Sequence, residues 1–101
     1  MGMLVASDSS DLRDPASWKK LPEPVFQTSE VNSVYGPGHS SFTTTVDGTN
    51  WIVYHAKREA NSECRGRSTR IQPFTFTNEG LPDFGRPVSL DSSFTFTRNS
   101  P

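Results

Sequence analysis

The sequence predicts an all-β protein built from antiparallel sheets, and three observations lead to this prediction. The apolar side chains are concentrated in seven Phe, two Trp and two Tyr, residue types that favour strands. Runs of the helix-forming residues Ala, Leu, Glu and Lys are missing from the sequence. Five or six short strand-like segments are separated by turn residues, which is typical of antiparallel all-β domains.

The first segments predict short elements. Residues 3–6 form an apolar run that predicts a short buried strand, and the polar residues 7–10 end it. Asp14 followed by Pro15 is the pattern of an N-cap with proline at the first helical position, so a single helical turn is expected. Trp18 is expected to pack this turn against the protein.

The clearest structural pattern is a β-hairpin. Residues 41–46 and 51–56 are strand-like and flank a Gly-containing connector at residues 47–50. Alternation along the second strand separates residues 51, 53 and 55 from residues 52, 54 and 56, and both sets are largely apolar. The sequence therefore predicts a sheet that is covered on both faces.

A further strand is predicted over residues 68–77. Pro73 within it implies an edge position or a bulge, because proline lacks the N–H group of a ladder hydrogen bond. The turn at residues 78–80 leads back into another strand-like segment at 81–88.

Composition and charge argue against several classes of partner. The net charge is −1 and the isoelectric point is about 6.1, so neither nucleic acid nor an anionic membrane is expected to bind. Apolar runs are too short to span a bilayer, and residues 1–6 lack the length and basic lead of a signal peptide. A soluble chain without a secretion address is therefore expected. Cys64 is the single cysteine, which excludes an internal disulfide.

His39 is the first candidate site residue. It follows the sequence Gly36-Pro37-Gly38, in which proline fixes one φ angle and the glycines allow conformations closed to other residues. Such a bend would set the direction of the imidazole, as expected for a site residue. The alternative is a buried histidine that is satisfied by a backbone carbonyl.

Several motifs, taken in order and spacing, resemble one family over residues 3–88. The motifs are Asp14-Pro15-Ala16-Ser17-Trp18, Pro24-Val25-Phe26, the segment from Val34 to Phe42, the segment from Trp51 to Ala56, the segment from Arg67 to Phe74, and Pro82-Asp83-Phe84-Gly85. The chain resembles glycoside hydrolase family 43, and most closely its α-L-arabinofuranosidases.

The resemblance implies a five-bladed β-propeller of which this chain is about one and a half blades. Residues 1–88 would be a partial propeller, namely the end of blade four and much of blade five. Residues 89–101 would be a C-terminal tail or a closing strand, with one alternating piece at 93–97. The family is often secreted, although nothing in this chain indicates a location.

The resemblance also implies a reaction. Family members release arabinose or xylose units from plant polysaccharides with inversion, which requires one carboxylic acid and one opposed carboxylate. These groups, and a third acid that tunes the proton donor, all lie upstream of the matched portion. The acids present here, such as Asp14, Asp47 and Asp83, fall in turns or polar loops. A chain without a complete catalytic centre, inactive alone, is therefore expected.

The resemblance also implies a metal-binding role and a substrate-binding role for residues at matching positions. His39 matches a histidine that binds a structural metal ion in the family, often calcium, directly or through water. Arg70, or as second choice Arg67, matches the region that supplies an arginine to sugar hydroxyls or to a catalytic carboxylate. Gln72 shares the face of Arg70, which would either pair the two or place both on an exposed edge. His55 is expected to be structural.

Two other functions stay open. The chain could be a non-catalytic β module that binds arabinose- or xylose-containing saccharides through Trp18, Trp51, Tyr35 and Arg70, since aromatic faces and guanidinium groups suit sugars. It could also be an assembly piece, whose unpaired strand edges would lead to self-association or to docking with the missing blades.

Overall fold

The computed structural model describes residues 1–61, 63 and 65–95, and it consists of two antiparallel sheets. Strands β1 (Leu4–Val5) and β2 (Lys19–Lys20) form a two-stranded sheet. The four-stranded sheet has the order β3-β4-β5-β6, with bounds β3 (Tyr35–Thr44), β4 (Asn50–Lys57), β5 (Arg67–Phe76) and β6 (Pro82–Asp83). The all-β prediction is confirmed. Over the described ranges, no helix is long and apolar enough to cross a membrane.

The predicted helical turn is present as a single turn of 3-10 helix, Pro15–Ser17. Asp14 caps it by accepting a hydrogen bond from the backbone N–H of Ala16 at 2.9 Å. Trp18 ties the turn to the preceding loop, because its indole N–H donates to the carbonyl of Leu12 at 2.9 Å. The prediction of a buried strand before this turn is wrong at Leu4, which is 61% exposed.

The predicted hairpin is confirmed as β3 and β4. Its turn is closed by the N–H of Gly48 donating to the carbonyl of Thr45, with Gly48 at a φ of 87°. The bend before the hairpin differs from the prediction. It lies inside β3, where the ladder is irregular on both sides of Gly38, and His39 itself adopts a positive φ of 49°. The extra residues of a bulge absorb this conformation without ending the strand.

Strand β5 pairs with β4 without interruption, from Asn50 opposite Phe74 to Lys57 opposite Arg67. On its other side, β6 pairs with it at Thr75 and Phe76, so that no described strand borders β5 beside Pro73. This agrees with the edge position expected for that proline.

The strand predicted over residues 81–88 is shortened to β6. Ser93, Phe94 and Thr95 are not in a strand, and the rest of the predicted alternating piece lies outside the described residues.

The core lies on one face of the four-stranded sheet. It consists of buried side chains from the segments before β3, from β4 and β5, and from the segment after β6: Phe26, Val34, Ile52, Tyr54, Ala56, Phe74 and Phe84. Within it, the rings of Phe26 and Tyr54 meet edge to face with centroids 4.8 Å apart. The opposite face is covered at Trp51, which packs on Phe94. Elsewhere on that face Val53 and His55 are half-buried, so the prediction of two covered faces is wrong there.

Candidate functional site

Arg70 lies inside β5, directly opposite Tyr54 on β4, with its side chain on the core face of the sheet. The residue is 7% exposed. Its Nε donates to the hydroxyl of Ser68 at 3.2 Å. Its two terminal nitrogens are buried and have no hydrogen-bond partner among the described residues. Burial of an unpaired hydrogen-bond donor costs free energy, and an acceptor for these two nitrogens would remove that cost.

A cavity of about 240 Å³ lies beside Arg70. Tyr54 and Arg70 line it from the sheet, while Val88 and Leu90 line it from the segment that follows β6. Burial raises the pKa of the Tyr54 hydroxyl, and the nearby positive charge of Arg70 partly opposes that rise. The Tyr54 hydroxyl beside this cavity donates its hydrogen bond to Gln72, and the terminal nitrogens of Arg70 lie buried next to it.

Gln72 holds one wall of this cavity in place. Its Oε1 accepts hydrogen bonds from the Tyr54 hydroxyl and from the Val88 N–H, both at 3.0 Å. Its Nε2 donates to the carbonyls of Phe84 at 3.3 Å and Arg86 at 2.9 Å. Gln72 shares the face of Arg70, as alternation predicts. The two roles expected for it, pairing with Arg70 or lying with it on an exposed edge, are both wrong, because Gln72 is buried and its hydrogen bonds go to other residues. Sequence reasoning missed Tyr54 and this anchoring role.

His39 and Arg67 lie on the other side of the sheet, with His55 between them. The rings of His39 and His55 have centroids 5.5 Å apart and are nearly perpendicular, at 82°. Burial, together with the positive charge of Arg67 and the neighbouring His39, lowers the pKa of His55. His39 is exposed rather than buried, which rules out the alternative of a buried histidine. His55 was expected to be structural, and its contact with His39 was not foreseen.

The two candidate arginines therefore do not act together. The β4–β5 ladder is uninterrupted between them, so Arg67 and Arg70, three positions apart, lie on opposite faces. Arg67 is exposed, as expected of the second choice, whereas Arg70 is buried. The structure groups Arg67 with the histidines and Arg70 with Tyr54.

All eleven Asp and Glu side chains are described, and every one of them is exposed. The expected turn roles are confirmed for three of them. Asp14, Asp47 and Asp83 each accept a hydrogen bond from a backbone N–H two residues ahead, at 2.9, 3.0 and 3.1 Å. A general acid of a glycosidase is usually buried so that its pKa is raised, and none of these Asp and Glu side chains has that environment.

A sequence model of the glycosyl hydrolases family 43 matches residues 1–82. The chain belongs to this family. It is 41% identical over 96 residues to alpha-L-arabinofuranosidase B of Pyricularia oryzae, a match that covers 87% of this chain and 19% of that protein. It is 43% identical over 95 residues to an extracellular exo-alpha-(1->5)-L-arabinofuranosidase of Streptomyces avermitilis, covering 88% of this chain and 20% of the relative.

A crystal structure of alpha-L-arabinofuranosidase from Lactobacillus brevis superposes with a TM-score of 0.83 at 40% identity. The superposition covers 91% of this chain and 30% of the other. The chain thus spans about a fifth of the curated relatives it matches and less than a third of this solved chain. The resemblance to family 43 is confirmed, and so is the predicted fold of about one and a half propeller blades. The boundary at residue 88 stays a prediction.

Family membership implies a metal ion near His39, and the neighbourhood of His39 allows a test of fit. Ser41, His55 and Thr69 line the shallow cavity beside it, which measures about 270 Å³. Within the described ranges, no group of three or more His, Cys, Asp or Glu side chains could hold a metal ion. Calcium takes six to eight oxygen ligands, so these residues alone do not fit it. The expected calcium site stays a prediction for which oxygens would have to come from elsewhere.

Proposed function

We propose that this chain is the closing segment of an arabinofuranosidase-type glycoside hydrolase, in which Arg70 binds the sugar substrate or a catalytic carboxylate. The observation that carries the proposal is the buried Arg70 guanidinium, whose terminal nitrogens have no acceptor in the described part of the chain. A buried, unpaired donor pair costs free energy, so a ligand or a neighbouring blade that supplies oxygens would relieve it.

The chemistry of the guanidinium supports this role. Its planar fork of donors matches two adjacent sugar hydroxyls or both oxygens of a carboxylate. Tyr54 lies opposite Arg70 in the same cavity, and its hydroxyl oxygen can still accept a hydrogen bond while donating to Gln72. Arg67 is the weaker candidate, because an exposed guanidinium is already solvated by water and gains less from a ligand.

We expect that the chain does not hydrolyse glycosides alone. Inversion needs an acid and a base opposed across the scissile bond, roughly 6.5–9.5 Å apart, with the acid held protonated by its surroundings. Each Asp and Glu side chain is exposed, and three of them already accept hydrogen bonds from turn N–H groups. The missing four-fifths of the relatives' length would supply the acids.

Two measurements on the purified chain test this proposal. No release of nitrophenol is expected from nitrophenyl α-L-arabinofuranoside or β-xyloside. Titration with arabino-oligosaccharides, followed by NMR chemical shifts, should perturb the residues around Arg70. Arg70→Met should remove that response, and Arg67→Met serves as the matched control that keeps it. Turnover that is lost on mutation of one of the chain's own acids would contradict the first part, and binding that Arg70→Met leaves intact would contradict the second.

An assembly role is a second candidate that one observation favours. Phe42 and Phe76 stay 57% and 53% exposed at one end of the aromatic cluster, and β3 ends the sheet with an edge that no described strand covers. We propose that this end docks against the remaining blades, or against a second copy when they are absent. If the chain sediments as a monodisperse monomer, docking against a second copy is contradicted.

The sugar-binding module built from Trp18, Trp51, Tyr35 and Arg70 has no comparable support. Trp51 is buried, and it lies on the face of the sheet opposite Arg70. Trp18 lines a different groove, beside β1. Because one relative is named extracellular, we also propose that the parent protein is secreted.

A further inference from the structure

We infer that residues 88–95 form a strap that closes over Arg70, and that a ligand reaches the guanidinium only when this strap moves away. The inference adds control of access to the Arg70 role in the proposed function, and it rests on that proposal. Arg70 is 7% exposed, and both of its terminal nitrogens are buried without a hydrogen-bond partner among the described residues. Solvent does not reach these nitrogens in the closed conformation, so their cover must open before an oxygen-bearing ligand can bind them.

The strap supplies more than half of the residues around the cavity beside Arg70. Strand β6 pairs with β5 at Thr75 and Phe76, so no described strand borders β5 on that side at Arg70. The strap lies next to this free edge of β5. Its residues that line the cavity are Val88, Ser89, Leu90, Ser92 and Phe94.

The strap is attached at its two ends, on opposite faces of the sheet. At one end, the N–H of Val88 donates to Oε1 of Gln72 at 3.0 Å, on the core face. At the other end, the ring of Phe94 packs on Trp51 with centroids 5.7 Å apart, on the opposite face. Residues 90–93 between these attachments are exposed, and over the described residues the strap forms no ladder with a strand. A segment held by so few contacts opens at a low cost in free energy.

Two contributions to the free energy oppose each other when the strap closes. Closure packs Phe94 on Trp51 and forms the hydrogen bond of Val88, which favours the closed conformation. It also removes water from the terminal nitrogens of Arg70 without supplying an acceptor from the described chain, which favours the open conformation. A ligand that supplies oxygens to these nitrogens removes the second contribution. Binding should therefore shift the strap towards closure and keep water away from the bound ligand.

Chemical labelling of the guanidinium tests the strap without any sugar. Phenylglyoxal modifies accessible arginines, and peptide mass spectrometry gives the rate at each of them. In the folded wild type, Arg70 should react at least about tenfold more slowly than the exposed Arg67. Phe94→Ala should raise the rate at Arg70 about tenfold and leave the rate at Arg67 unchanged, because it removes an aromatic contact and buried apolar area from the strap. Phe76→Ala is the matched control that should change neither rate, because it removes an exposed phenylalanine outside this cavity.

A second measurement reports the opposing contributions within the strap itself. Hydrogen exchange at the Val88 N–H should become about fivefold slower in Arg70→Met, because closure then no longer buries an unpaired charge. The Gly48 N–H in the hairpin turn is the reference, and it should exchange as in the wild type. Circular dichroism confirms that each variant is folded.

The inference is overturned if Arg70 of the folded wild type reacts as fast as Arg67, or if Phe94→Ala leaves the rate at Arg70 unchanged. It is also overturned if Arg70→Met does not slow exchange at Val88. Because neither measurement uses sugar, these outcomes leave the oligosaccharide titration of the proposed function standing. Absence of sugar binding by a chain whose Arg70 is protected by the strap would contradict the proposed function alone.

Discussion

The two faces of strand β5 offer a direct comparison, because alternate residues of one strand lie in opposite environments. Arg70, Gln72 and Phe74 are buried under the core and the segment after β6, whereas Thr69 on the other face is exposed. On the face of Thr69, which we call the open face, polar groups are solvated at little cost in free energy. On the face of Arg70 and Gln72, which we call the closed face, each polar group requires a hydrogen-bond partner. Gln72 has four hydrogen bonds there, whereas the terminal nitrogens of Arg70 have none in the described chain. The closed face is therefore where an unpaired group indicates function.

The largest expected effect tests the packing difference between the faces on β4. Ile52→Ala should lower the free energy of unfolding by about 2–5 kcal/mol, because Ile52 is 0% exposed and its truncation leaves a cavity. Val53→Ala, the next residue on the half-buried face, should cost about 1 kcal/mol. Urea denaturation followed by circular dichroism measures both. Equal losses would mean that the two faces are covered alike.

The next effect concerns hydrogen bonding on β5. Gln72→Ala should lower the free energy of unfolding by about 2–3 kcal/mol, because it leaves buried partners in the segment after β6 unsatisfied. Thr69→Ala on the exposed face should change it by less than about 0.5 kcal/mol. Hydrogen exchange at the Val88 N–H should accelerate in Gln72→Ala. Unchanged exchange there would show that Gln72 does not hold this segment.

Substitution of Arg70 should change the free energy of unfolding by a smaller amount and in the opposite direction. Replacing a buried, incompletely paired charge by an apolar side chain is often neutral or stabilising, so Arg70→Met should raise the free energy of unfolding by about 1 kcal/mol. Arg67→Met on the open face should leave it unchanged within experimental error. The same urea transitions measure both variants. Clear destabilisation by Arg70→Met would mean that its guanidinium is already paired within the chain.

The sequence predicts the local parts of this fold well. The β3–β4 hairpin depends on strand alternation and on a turn that Asp47 and Gly48 form among close neighbours. The helical turn likewise depends on Asp14 and Pro15, which are adjacent. Alternation along β5 is also enough to place Arg70 and Gln72 on one face. These features require no knowledge of distant contacts.

The parts that were mispredicted depend on contacts distant in sequence or on register. Residues 84–88 have the pattern of a strand, but the side chain of Gln72 satisfies backbone groups there in place of a ladder. Whether Arg70 is buried depends on that same segment crossing the sheet. The contact between His39 and His55 depends on two register shifts in β3, which the glycines allow but do not specify. Every Asp and Glu side chain of this chain is exposed, so the reaction was inferred from the resemblance alone.

The smallest effect is a pH dependence that belongs to Tyr54 on the closed face. Its pKa in the folded chain lies above the ordinary value of 10.0, chiefly because the hydroxyl is buried. The folded state thus retains this proton when the unfolded state has lost it, and linkage makes the free energy of unfolding fall as the pH rises through and above 10.0. In Tyr54→Phe this part of the fall should be absent, although the variant is less stable at neutral pH because it lacks the hydrogen bond to Gln72.

Arg70→Met removes the opposing positive charge, so it should raise the pKa of Tyr54 further and steepen the fall of the free energy of unfolding with pH. Urea transitions across the alkaline range, with tyrosinate absorbance as a second probe, measure these differences. Parallel profiles for the wild type and Tyr54→Phe would show that the closed face does not protect the Tyr54 hydroxyl from ionisation.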